Sequence, residues 1–185
     1  VLSYLAQLPV FLVGLWLGVV PAAIAGAVAA VSVGAGANLN ASGLYLLLAA
    51  GPVLIIVRQG LLSRPGATAG QVVWYPPGHL AACLAAYGLV ILGGASLFLL
   101  GAPGGIEGAA RAYLDATLYA MVGPGVNLRL DAMIDPLVRL FPAAVVMTWT
   151  FMVVINATVA QGVLARFDLN RRPSPKFADM TLPRW

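Results

Sequence analysis

Charge is what this chain has least of. Aspartate, glutamate, lysine and arginine together make up 9% of the 185 residues, apolar residues make up 61%, and the mean hydropathy is +0.94. A soluble domain carries roughly 25% charged residues, so this one could not cover a water-facing surface. Lipid must be a large part of its solvent. Cysteine is nearly absent too. Cys83 stands alone within an apolar run, which excludes an intrachain disulfide and a cysteine-based zinc site; it reads as a small buried helix residue. His79, the single histidine, follows Pro76, Pro77 and Gly78 and reads as an interfacial residue at a helix start.

Further absences narrow the chemistry. No apolar segment carries an acid, which argues against a proton relay through the membrane. One histidine cannot build the zinc cluster of an intramembrane metalloprotease. Ser32, Ser42 and Ser96 have no base nearby, and Gly-x-Ser-x-Gly is missing. There is no Gly-rich loop ending in Gly-Lys-Ser/Thr to cradle a nucleotide phosphate. The residues therefore predict no catalytic site, no cofactor and no metal.

What is present is apolar length. A span needs about 20 apolar residues. Leu5 to Ala37 is free of charge, too long for one span and short for two, with Gly18 and Pro21 near its middle. We expect two short segments, 4–18 and 20–36, with one long tilted helix as the alternative. A third segment, 43–63, contains Gly51-Pro52 and Arg58, whose head group can reach the interface from one turn inside. The loop 65–78 places Trp74-Tyr75 at headgroup level. Segments 79–101 and 142–166 complete about five membrane segments.

Residues 102–141 differ. Glu107, Arg111 and Asp115 recur at i,i+4, opposite Ile106, Ala110, Tyr113, Thr117 and Met121. Gly123-Pro124-Gly125 should end that helix. A second segment sets Asp131, Asp135 and Arg139 against Leu130, Ile134, Leu137 and Phe141, with a start at Asp135-Pro136 and a kink at Pro142. We expect amphipathic surface helices at 105–122 and 129–141 on the extracytoplasmic side.

The net charge of +4 does not point to nucleic acid, because the basic residues form no stripe interleaved with aromatics. Five of the ten (Arg166, Arg171, Arg172, Lys176, Arg184) instead follow the last apolar run. With Arg64 they make 63–78 and the tail 167–185 the basic side, predicted to be cytoplasmic. The chain starts Val-Leu-Ser-Tyr and stops Leu-Pro-Arg-Trp, with Trp185 suited to an interface. We expect further helices beyond both ends, with processing of the N-terminus as the alternative.

Two groups of residues are candidates for function. Gly14, Gly18, Ala22, Gly26 and Ala30 give the first two segments a smooth face for close helix packing, in this chain or against a partner. Asn156 lies near the centre of the last span, with Trp149 on a similar face two turns earlier. They could line a ligand pocket, or Asn156 could hydrogen-bond a neighbouring helix backbone.

The opening YLAQLPVFLVGLWLG and AAIAG, then VVWYPPGHL, then NATVAQGVLARF and NRRPSPKFADMTLPRW, resemble the YybS-like family of bacterial membrane proteins, in its alphaproteobacterial branch. The likeness runs through nearly the whole chain, and WYPPG and RPSP…LPRW are its more specific parts. It implies a longer protein of about eight spans in a domain of unknown function. The first segments are also similar to those of substrate-binding subunits of energy-coupling-factor vitamin transporters. That likeness implies a ligand pocket facing outward and small-residue faces docking on a coupling subunit. Taken together, we expect an all-α, polytopic transmembrane bundle that is part of a larger one, forming a single membrane domain. Its expected role is non-enzymatic: a substrate-binding or transport component for a small molecule, or a structural or assembly subunit of an inner-membrane complex. Its expected partners are membrane lipids and other membrane subunits, with no nucleic acid.

Overall fold

The computed structural model describes residues 2–68, 70–122, 130–175 and 180–182. The expectations for Gly123-Pro124-Gly125, Lys176, Arg184 and Trp185 lie outside these residues, as do the side chains of Leu130 and Asp131. The chain is mostly helical. A 3-10 turn at Leu2–Leu5 leads into α1 (Leu8–Leu17), α2 (Val19–Gly36), α3 (Leu39–Tyr45), a π-helical turn at Leu46–Ala50 and α4 (Gly51–Gly60). An antiparallel hairpin follows, β1 (Ser63–Pro65) with β2 (Val72–Trp74), pairing Ser63 with Trp74 and Pro65 with Val72. Then come α5 (Pro77–Phe98), α6 (Gly105–Val122) and α7 (Leu130–Arg166).

Four helices are long and apolar enough to cross a membrane: Val19–Gly36, Leu39–Gly60, Pro77–Gly101 and Ile134–Arg166. Among the described residues the count is therefore four, where the sequence led us to expect about five. The segment at 4–18 is what falls short. Its helix has 10 residues, which rise about 15 Å against a hydrocarbon core of about 30 Å. The expected boundary between a surface helix at 129–141 and a span at 142–166 is also missing, since α7 runs on through Pro136 and Pro142. The stretch 65–78, read as a loop, holds half of the small hairpin.

Two compact units divide the chain. One is formed by Val1–Ala85 with Phe151–Trp185, the other by Ala86–Thr150, and α5 and α7 contribute to both.

In the first unit α1, α2 and α3–α4 pack together. The reversal between α1 and α2 is made at Gly18, whose φ of 109° with ψ −176° is a conformation essentially reserved for glycine. The α2 helix inverts the pattern of a soluble protein. Ala22, Gly26 and Ala30 face inward, while Val20, Ile24, Val28 and Val31 are 61–71% exposed. Large apolar side chains pointing outward and small ones inward are what lipid as solvent demands, because backbones can then approach closely while the outer face meets hydrocarbon. A Cβ on Gly14 would stand 2.6 Å from Val57 Cγ2 and 3.1 Å from Ala22 Cβ, and one on Gly26 would stand 3.3 Å from Ala50 Cβ. Phe11, Val53, Val57 and Val153 complete this core without exposure.

Polar side chains join these elements. Pro52 brings no N–H to the α-helical partner carbonyl at Leu48, and Gln7 Nε2 donates to that oxygen at 3.1 Å. Ser42 Oγ, buried, donates to Ala30 O at 2.8 Å. Asn38 caps α3 by accepting from Ala41 N at 2.8 Å.

The second unit centres on Ala110, Ile134 and Val138, with Leu114, Leu118 and Phe141 packed against them. Ala110, Ile134 and Phe141 take the inward places expected of them, while other positions of the two faces are off by one. Tyr113 and Met121 of α6, assigned to its apolar face, are 60% and 78% exposed, and Leu114 and Leu118 turn inward instead. On α7, Leu137 is exposed and Val138 takes its place. Arg111 pairs with Asp135 across the two helices.

Candidate functional site

Asn156 and Trp149 lie on α7, two turns apart, in different units. Each has partners of its own. Asn156 is fully buried, and its Nδ2 donates to Tyr4 O at 2.7 Å and to Met152 O at 2.8 Å. Trp149 stacks on Tyr87 with ring centroids 6.0 Å apart, where Gly88 lets α5 approach Val146. Of the small-residue face, Gly14, Ala22, Gly26 and Ala30 pack against α4, α3 and one another within the chain, while Gly18 makes the turn.

Asn156 has an unnoticed counterpart in Gln7, the other buried carboxamide, 1% exposed like Asn156. Both amides spend their N–H groups on backbone carbonyls, and both leave the side-chain oxygen, Gln7 Oε1 and Asn156 Oδ1, buried without a donor. A buried acceptor with no donor costs about 1–3 kcal/mol. Asn156 lies ten residues before the end of α7 at Arg166, a rise of about 15 Å, roughly half of a hydrocarbon core. Gln7 stands two residues before Pro9 in an apolar stretch, and its burial comes with the hydrogen bond to the Leu48 carbonyl.

The two motifs that stand out from the apolar background meet elsewhere in the first unit. Trp74, Pro76 and Pro77 line a cleft of about 400 Å3 together with Arg172, Pro173, Ser174, Pro175 and Thr181. Gly78 makes the closure possible: a side chain there would collide with the backbone of Thr181. Arg172 is only 9% exposed. Its Nη1 donates to Gly60 O at 3.0 Å, its guanidinium lies 6.0 Å from the Trp74 ring centroid, and its own carbonyl accepts from Gln161 Nε2 at 2.8 Å and Asn170 Nδ2 at 2.9 Å. Burial lowers the pKa of Arg172 below that of a free guanidinium, but arginine stays protonated throughout the working range. Arg171 comes close to Gly18 at the α1–α2 turn. The ends of α4 and α7, the turn at Gly18 and the start of α5 thus gather at one end of this unit. It carries Arg58, Arg64, Arg166, Arg171 and Arg172 against Asp168 among the described residues.

A second cleft, in the other unit, is lined by Glu107, Arg111, Asp135 and Arg139 with Gly104, Gly108, Pro136 and Val138. Its charges are of both signs. Among the described residues no three of His, Cys, Asp and Glu come together as a metal centre would need. His79 Nδ1 is buried without a partner, beside the edge of the Tyr75 ring at 5.6 Å.

The fold places the chain in the class of helical membrane proteins, with four helices of spanning length and outward-facing apolar side chains. No protein-family model, no curated protein and no solved structure matches it.

Proposed function

We propose that the chain is a non-enzymatic, multi-pass component of a bacterial inner membrane that binds or transports a small molecule, with its arginine-rich end in the cytoplasm. One observation carries the reading: Gln7 Oε1 and Asn156 Oδ1 are two buried acceptors without donors, Asn156 standing ten residues inside the end of a helix of spanning length. Half-length helices and broken helical geometry at that depth are how transporters build polar sites inside lipid. The short α1 and the π-helical turn at Leu46–Ala50 are of that kind. A ligand with N–H or O–H donors would meet the unmet demand. The resemblance of the first segments to energy-coupling-factor substrate-binding subunits points the same way at the level of fold.

The test is native mass spectrometry of the chain released from its own membrane, beside uptake assays on a deletion strain. A bound metabolite lost in Asn156→Leu supports the reading. Protein that carries nothing, from a strain whose uptake is unchanged, rejects it.

A structural or assembly subunit is the second reading, and α5 favours it. Side chains placed at Gly93 and Gly94 would meet nothing within 4 Å, leaving a smooth patch where a helix of a partner could approach closely. Co-purification with a stoichiometric membrane partner, and no nucleotide-hydrolysing subunit, would select it.

A further inference from the structure

The cleft between the WYPP and RPSP segments has a chemistry that the small-molecule reading leaves unused. Arg172 is buried to nine-tenths, yet it has no carboxylate partner among the described residues, where the one ion pair is Arg111–Asp135 in the other unit. A guanidinium offers five N–H donors. Here one of them is donated to Gly60 O, and the flat face meets Trp74. A desolvated cation whose charge is not balanced by an anion is unfavourable. The rest of the lining favours an anion as well. Ser174 and Thr181 supply hydroxyls, Pro76 and Pro77 mark the start of α5 with its partial positive charge, and among the described residues no acid lines the cleft. Trp74 and Tyr75 are residue types that settle at headgroup level.

We propose that the cleft of Arg172, Trp74, Ser174 and Thr181 binds a phosphate-bearing anion, with the guanidinium of Arg172 as its cation. The group is either the phosphate of an anionic lipid headgroup or free phosphate. Arginine is suited to both, because its planar fork matches phosphate oxygens in pairs. The hydrogen bonds from Gln161 and Asn170 to the Arg172 carbonyl hold the backbone in place beforehand, so little order need be imposed on binding. The inference is independent of the small-molecule reading, since it concerns the arginine-bearing end of the unit and a different ligand chemistry.

The experiment uses the whole chain in a neutral detergent. Retention of phosphatidylglycerol against phosphatidylcholine is followed by native mass spectrometry, and thermal unfolding is followed with millimolar inorganic phosphate. Ser174→Glu places a negative charge in the cleft from an exposed position; Arg172→Gln removes the cation, and Ser174→Glu keeps the test valid if that variant fails to fold. For a lipid source, phosphatidylglycerol is retained about tenfold over phosphatidylcholine, as expected of one charge-assisted hydrogen-bonded contact, and Ser174→Glu abolishes the preference. For a free-phosphate source, phosphate raises the unfolding midpoint of the parent protein but not of Ser174→Glu. Equal behaviour of the parent and Ser174→Glu in both measurements overturns the proposal. So does an equal loss in Arg58→Gln, which would reduce the effect to diffuse surface charge.

Discussion

The side-chain amide of Asn156 donates to the backbone carbonyl of Tyr4 at 2.7 Å, joining positions 152 residues apart. It fastens the 3-10 turn ahead of α1 to the middle of α7, as Gln7 fastens the start of α1 to Leu48. An α1 of 10 residues is too short to be held by spanning the bilayer, so its place depends on such ties. Asn156→Leu removes the side-chain donor to the Tyr4 carbonyl. Hydrogen bonds between membrane helices are worth about 0.6 kcal/mol on average and up to about 1.7. Because the donating side chain is itself fully buried, we expect a loss toward the upper end, read from unfolding in mixed micelles. A variant as stable as the parent would mean that Tyr4 finds another donor.

Gly14 and Val57 set the distance between α1 and α4. A Cβ on Gly14 would stand 2.6 Å from Val57 Cγ2 and 3.1 Å from Val57 Cγ1. Gly14→Ala should therefore destabilise by about 1–3 kcal/mol through overpacking, even though alanine is the better helix former. Val57→Ala should relieve it, so the double variant should lie above the sum of the single ones. Additive effects in unfolding experiments would exclude direct contact.

Gly18 tests conformation rather than packing. At φ 109° and ψ −176° an L side chain is strained, at a cost of order 1–3 kcal/mol. Gly36, near the other end of α2, has no such φ, and a side chain there would meet nothing within 4 Å. Gly18→Ala should lower the unfolding midpoint, and Gly36→Ala should leave it or raise it slightly. Equal effects would place the reversal elsewhere.

Much of the first unit was legible because lipid leaves a simple code. Long charge-free runs mark the helices, glycine and proline mark the breaks, and the Ala22-Gly26-Ala30 spacing marks the inward face of α2. The second unit was harder. On α6 a charge period of four residues drew the opposite face through Tyr113 and Met121, but the helix is half-wet, and Leu114 and Leu118 do the packing. Proline misled on α7 at Pro136, which lies inside a helix that begins at Leu130 rather than at its start. Arg172 and Gln7 could not be singled out by composition. Their burial depends on carbonyls at Gly60 and Leu48 that only the tertiary structure brings within reach.

Orientation is the most exposed consequence of this arrangement. The arginine-bearing end of the first unit includes Ser174, while Asn40 lies beyond the far end of α2. That helix has 18 residues, a rise of about 27 Å, so the two positions should be on opposite sides of one bilayer. In the proposed orientation, with arginine and lysine retained on the cytoplasmic side, Ser174 should be inside and Asn40 outside. In a Cys83→Ala background, Asn40→Cys should react with a membrane-impermeant maleimide in intact spheroplasts. Ser174→Cys should react only after permeabilisation. Both side chains are exposed, so failure to label cannot be put down to burial. Glu107→Cys, preceding the second of the two later crossings, should follow Asn40, because a single passage of α5 separates it from the hairpin. The reverse pattern would invert the protein in the membrane and remove the cytoplasmic assignment. Labelling of all three sites in intact cells would mean that the helices do not cross at all.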